Sequence, residues 1–271
     1  ALLPGSEVAH VPSGTTYGLL MTERERQGER VLSVGDPDYG VPLHPRALAV
    51  VRGGRNLTPL PSTRTEAVRI GDVVLLGREA SEPGFAAAVK KRPRWRAVHL
   101  ACHGLIDSER PMFSSLALTP GADSDGLLTV LEIFRMLIPA DLVVLSACET
   151  ATGRLYRSEG IIGLTRAFMF AGAPRVICSL WKVDDEATRA LMVKFYELWN
   201  PRDGSPGLGA AAALKKAQEY IRTYEGPVPR AERGEREPLV PAPTPIEGRG
   251  GERPWEHPYY WAAWVLWGLP T

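Results

Sequence analysis

Cysteine is scarce in this 271-residue sequence: there are three, Cys102, Cys148 and Cys178, and no Cys-x-x-Cys pair. So sparse and odd a set excludes a disulfide framework and points to a reducing compartment, so a cytoplasmic location is expected. Net charge is lacking too, since Lys+Arg 32 against Asp+Glu 31 leaves +1. Without a basic excess there is no electrostatic footprint for direct nucleic-acid binding, and without an acidic block there is no solvating tail. The chain has no run of 18 or more apolar residues, so no membrane-spanning helix is expected. The start, Ala1-Leu2-Leu3-Pro4-Gly5, has neither an initiator Met nor a signal pattern and reads as a piece cut from something longer. What remains, 44% hydrophobic and 23% charged residues, can fill a core without metal or disulfide staples.

Along the chain, Val31–Val34 reads as a short strand stopped by the turn cluster Gly35-Asp36-Pro37-Asp38. Thr63-Arg64-Thr65-Glu66 fits a capping box and predicts a helix start, as does Thr129-Val130-Leu131-Glu132, whose helix is expected to reach about Leu137. Val73–Leu76 is a strand candidate and Glu82–Lys91 a helix. The apolar runs 96–101, 142–147 and 175–180 read as buried strands. Between the last two lies a helix, 159–171, apolar almost all round, with Gly172 suited to its C′ stop. Asp184 or Asp185 can cap a helix running to Trp199, and an Ala-rich helix follows from about Leu208 to Tyr224. Continuous apolar strands alternating with helices predict an α/β fold, a largely parallel central sheet with helices on both faces. Residues 225–254 hold seven Pro and five Gly and read as a mobile loop inside a single domain spanning 1–271. The aromatic run Tyr259–Trp267 reads as a last strand docking back on the sheet.

In open parallel sheets the functional crevice lies beyond the carboxyl ends of the strands. Strand 96–101 runs into Cys102-His103-Gly104, and strand 142–147 into Cys148-Glu149-Thr150. If the two strands are neighbours, their tips are about 5 Å apart, near enough for a thiol and an imidazole to cooperate. A free thiol, with a pKa of about 8.5, needs such a base to become a nucleophile. The oxyanion formed by attack on an amide needs fixed donors, and the amides of Gly104 and Cys148 are candidates. Taken alone, a strand-end cysteine is more often a small buried hydrophobe; Cys102 and Cys178 are read that way, and His99 as packed beneath the site. A zinc site from His99, Cys102, His103 and Cys148 matches no tight ligand spacing.

The ordered series His103-Gly104, Ser146-Ala147-Cys148-Glu149-Thr150, Glu159-Gly160-Ile161-Ile162-Gly163-Leu164-Thr165-Arg166-Ala167-Phe168, Ala171-Gly172-Ala173, Ser179-Leu180-Trp181-Lys182-Val183-Asp184-Asp185 and His257-Pro258-Tyr259-Tyr260-Trp261-Ala262 resembles the CHAT domains. These are caspase-like cysteine peptidases, of the clan that holds caspases, separase and gingipains, often fused to TPR repeats in bacteria. The resemblance runs from about residue 10 to the end. It implies a caspase-like core, a dyad of Cys148 and His103, an oxyanion hole at Gly104 and Cys148, and no cofactor or metal. It also implies a protein substrate and regulation by an upstream TPR or other region, and bacterial defence is a common setting. The caspase signature Gln-Ala-Cys-x-Gly is absent, so specificity for aspartate does not carry over. In separase-like members an acidic residue of the loop after the third strand receives a basic side chain. Asp185, with Asp184 beside it, is the candidate here, against the plainer reading of a helix cap. A catalytically quiet scaffold module and a small-amide cysteine hydrolase or transferase use the same residues and stand as alternatives.

Overall fold

The computed structural model describes residues 6–22, 27–40, 57–107, 109–146, 158–181, 183–226 and 253–271. A six-stranded sheet has the order β2-β1-β3-β7-β8-β9. Its strands are β1 (Glu29–Pro37), β2 (Val73–Gly77), β3 (Trp95–Ala101), β7 (Ala140–Leu145), β8 (Arg175–Ser179) and β9 (Trp264–Gly268). All pairings are parallel except that of β9 with β8. The helices are α1 (Gly14–Thr22), α2 (Pro61–Ile70), α3 (Glu82–Val89), α4 (Val130–Ile133), α5 (Ser158–Phe170), α6 (Asp185–Trp199) and α7 (Ala210–Arg222).

Alternation along the strands feeds two cores. Val98 and Leu100 of β3 and Val143 and Leu145 of β7 pack with Phe85 of α3, Ile133 of α4 and Phe168 of α5. On the opposite face Ala97, Leu142 and Val144 pack with Ile70 of α2, Leu191 and Phe195 of α6, and Leu214 of α7. Each fully buried side chain of this size contributes about 1.5–3 kcal/mol, and burial on both faces is why these strands read as unbroken apolar runs. Gly35 sets the height of α2 above the sheet: a Cβ there would lie 2.5 Å from Thr63 O, so the missing side chain lets α2 settle closely on β1.

Between β3 and β7 the chain makes an excursion that the sequence pattern does not announce. Strands β4 (His103–Leu105), β5 (Ser115–Ala117) and β6 (Leu127–Thr129) form a small antiparallel sheet. Each has only three residues, too short for a periodic signal.

Several boundaries are corrected. The box at Thr63 does not cap a helix, because α2 already starts at Pro61, where the fixed φ of proline suits a first helical position. Thr63 Oγ1 instead accepts from Asp36 N–H and donates to Leu60 O. The box at Thr129 is complete, with both reciprocal hydrogen bonds, but its helix ends at Ile133 rather than Leu137. The first strand runs through its expected stop to Pro37. Residues 258–260 form a 3₁₀ turn, so the last strand begins at Trp264. Gly172 stands at φ +121°, a conformation that suits the helix stop expected of it. Most of the expected loop, 227–252, lies outside the described residues.

Candidate active site

The sheet reverses its winding at β1 and β3. The chain passes from β1 outward to β2, then crosses back to β3 and continues to β7 and β8. The crevice beyond the carboxyl ends of such strands is where a site is expected. There, β3 ends at Ala101, Cys102 turns into the core with 1% exposure, and His103 opens β4. Strand β7 pairs with β3 in register from Trp95↔Ala140 to Leu100↔Leu145, so Ser146 leaves β7 at the level where β3 ends, and it lines one cavity with Cys102 and His103.

His103 is held from three sides. Its Nε2 lies 2.8 Å from Thr58 O, its amide donates to Tyr39 Oη at 3.3 Å, and the two rings stand 5.2 Å apart. The Tyr39 hydroxyl donates in turn to Ala117 O at 2.9 Å, bridging β4 and β5. Burial keeps this phenol protonated, its pKa pushed well above the ordinary value. A small apolar cluster of Tyr39, Leu57, Leu105, Ala117 and Leu127 anchors both Tyr39 and the strap carrying Thr58. A carbonyl only accepts, so the proton of a neutral ring is on Nε2 and the basic lone pair is on Nδ1.

His103 borders a cavity of about 160 Å³ whose lining also includes Thr58, Leu60, Glu66, Ser146, Asp185 and Thr188. Asp185 is the first residue of α6 and is exposed; Asp184 is the N-cap, its Oδ1 accepting from the amides of Glu186 and Ala187. Asp184 is engaged with the helix end, and Asp185 is among the residues that line the cavity. Gly104 lies next to His103 in β4, opposite Leu116, but borders a different, much smaller cavity with Leu145, Ile161 and Cys178. Cys148 and Glu149 lie outside the described residues.

Three contributors do not stand out in the sequence. Thr58 acts through its backbone, which no side-chain pattern reveals. Tyr39 falls in a loop. Glu66 has the spacing of a cap, although Thr63, Glu66, Ala67 and Ile70 form the i, i+3, i+4, i+7 stripe that α2 buries. Its carboxylate is 2% exposed and accepts from Ser146 Oγ at 2.7 Å and His99 Nε2 at 3.0 Å. His99 is thus fully buried beneath the cavity, with Tyr196 behind it.

The remaining thiols are unsuited to chemistry. Burial pushes Cys102 and Cys178 up to about 12, so both stay un-ionised near neutral pH.

A family model for the CHAT domain matches residues 2–269. The chain belongs to the CHAT domain family. Among curated proteins, this CHAT domain is 28% identical over 208 residues to Tetratricopeptide repeat protein 28 of Homo sapiens, covering 61% of this chain and 8% of that protein. It is 36% identical over 98 residues to the Mus musculus protein of the same name, covering 36% of this chain and 4% of that protein. The chain thus spans less than a tenth of the length of either relative. Among solved structures, the separase–securin complex of Saccharomyces cerevisiae matches with a TM-score of 0.52 and 14% identity, over 97% of this chain and 14% of that chain. The CHAT domain therefore has a caspase-like fold with a largely parallel central sheet. Among the described residues no helix is long and apolar enough to cross a membrane.

Proposed function

We propose that this CHAT domain is a cysteine endopeptidase in which Cys148 is the nucleophile and His103 its base and acid. The observation that carries the reading is His103 on the rim of the cavity at the end of β3, with Ser146 on the adjoining wall. Cys148 follows Ser146 by two residues of chain, which span at most about 7 Å. Cys102 and Cys178 are excluded by their burial and raised pKa, which leaves Cys148 as the sulfur for the task.

In the reaction, the Cys148 thiol gives its proton to His103 Nδ1 as sulfur bonds to the scissile carbonyl carbon. The carbonyl electrons move to oxygen, and the amides of Gly104 and Cys148 stabilise the oxyanion. Collapse breaks the carbon–nitrogen bond, and the imidazolium protonates the departing amine. Water then loses a proton to His103 and attacks the thioester, and the thiol is regenerated on release of the acid. Thr58 O keeps the ring in the tautomer these steps need. A basic residue precedes the cut, received by Asp185 on the cavity wall, since Asp184 is occupied at the helix cap. The substrate is a protein, and an upstream region, TPR-bearing as the names of the curated relatives suggest, regulates access.

A fluorogenic peptide library tests this. The chain should cut after Arg or Lys, and Cys148→Ala and His103→Ala should be silent. Asp185→Ala should lose about tenfold or more in kcat/KM on basic peptides through loss of a charge-assisted contact. Absence of cleavage by the wild-type chain, with its natural upstream region attached, contradicts the proposal and favours a binding module.

A further inference from the structure

We propose that Glu66 is a positioning residue: from α2 it holds Ser146, and with it the segment leading to Cys148, in place against His103. The inference rests on the endopeptidase reading in taking Cys148 and His103 as the working pair.

The buried stripe of α2 is Thr63, Glu66, Ala67 and Ile70, and a carboxylate is its costly member. The Glu66 side chain is only 2% exposed, where an apolar residue would pack without that cost. What the carboxylate adds is reach across the sheet. Its Oε1 lies 3.0 Å from His99 Nε2 on β3 and accepts from Ser146 Oγ, just past the end of β7, at 2.7 Å. His99 pairs in register with Val144, and alternation puts Ser146 on the same face two residues later. One oxygen thus ties the helix to two neighbouring strands. The ladder between β3 and β7 ends at Leu100↔Leu145, so the Ser146 hydroxyl anchors the chain where that pairing stops.

The helix that carries Glu66 has little freedom of its own. Ser33 Oγ donates to Ala67 O at 2.8 Å, and Asp36 N–H donates to Thr63 Oγ1 at 2.8 Å, so α2 is fixed to β1 along its length. The strap before it is fixed with it, because Leu60 O accepts from Thr63 N–H at 3.0 Å and from Thr63 Oγ1 at 2.6 Å. Pro59 and Pro61 lock φ on either side of Leu60. Thr58 O, the partner of His103 Nε2, belongs to that strap. The same rigid unit therefore sets both halves of the site. It holds the imidazole through Thr58, and through Glu66 it holds the serine two positions ahead of the thiol, a span of at most about 7 Å.

Reactivity of the thiol, read without a substrate, is the test. Alkylation of Cys148 by iodoacetamide is timed against pH in the full chain by peptide mass spectrometry. Pairing with His103 should place the wild-type midpoint below the free-thiol value of about 8.5, and His103→Ala should return it there. Glu66→Ala and Ser146→Ala should move the midpoint the same way and slow alkylation near neutral pH about tenfold; in a His103→Ala background neither should slow it further. Glu66→Gln, the conservative variant, keeps an oxygen for Ser146 and should restore the wild-type midpoint. A merely structural role lowers the melting temperature and leaves the midpoint in place; that result with Ser146→Ala overturns the proposal, as does an equal loss with and without His103. Should Glu66→Ala fail to fold, Ser146→Ala decides alone. A wild-type midpoint that His103→Ala does not move removes the pair and its positioning together. The expected shifts without any peptide cleavage remove the endopeptidase reading and leave Glu66 standing; cleavage with a midpoint unmoved by Ser146→Ala does the reverse.

Discussion

Thr58 O accepts from His103 Nε2 across 2.8 Å, so a backbone carbonyl orients the candidate base. Thr58 precedes Pro59, and a residue before proline is confined to extended conformations, which limits how far its carbonyl can swing. Pro59→Gly releases that restraint and adds only a backbone N–H. The expected result is a fall in kcat of about tenfold to a hundredfold, larger than the rise in KM from losing the Pro59 ring at the cavity wall, because the base is misplaced. Unchanged kcat means the carbonyl does not position the ring.

The cysteines should separate sharply toward an alkylating agent. Cys102 and Cys178 are buried with thiols raised to about 12, so neither supplies thiolate in the native chain. Iodoacetamide at neutral pH is expected to add once, at Cys148, by peptide mass spectrometry, and His103→Ala should slow that addition. Modification of Cys102 or Cys178 in the folded protein at a comparable rate counts against this assignment.

The parallel strands, their helices and the position of His103 at a strand end are legible in the sequence, because apolar runs such as 142–145 bounded by turn residues have few other fates. The three-residue strands β4 to β6 are too short to leave a pattern, and Thr58 contributes only main chain. Glu66 misleads for a physical reason. Thr-x-x-Glu is the composition of a capping box, but the Pro61 start moves the helix back by three residues and turns Glu66 from the solvent end to the buried stripe. Asp184 and Asp185 are interchangeable in sequence; the hydrogen bonds make the first the cap and leave the second at the cavity.

Asp141 holds the opposite end of the sheet. It accepts from Arg94 Nε at 2.5 Å, Arg96 Nη1 at 3.2 Å and Gly28 N–H at 2.8 Å, with its side chain 6% exposed. Asp141→Ala strands these donors, but both arginines are partly solvated, so a loss of about 2–4 kcal/mol is expected in urea unfolding. Peptide cleavage at a temperature where the variant is folded should be unchanged, since Asp141 lies at the amino end of β7.

Glu82 gives a pH signature. Burial, then the charges of Glu132 and Asp125, raise its pKa, while the Gly126 amide and the Ser124 side chain oppose this. A raised acid favours the protonated native state. Its contribution is therefore full below the ordinary value of about 4.3 and is lost as pH rises through the folded pKa. Glu82→Gln keeps an acceptor for Gly126 and removes the charge. Relative to wild type, it should gain stability in denaturant melts as pH goes from 4 to 7; a constant difference across that range contradicts the assignment.

The most direct measurement is mass spectrometry of an arginine-containing protein substrate incubated with the wild-type chain, its natural upstream region attached, and with its Cys148→Ala form. Two new fragments, one of them ending at a basic residue, seen only with the intact thiol, are the predicted result. Identical spectra from both forms, with each shown to be folded, would mean that sulfur 148 breaks no peptide bond.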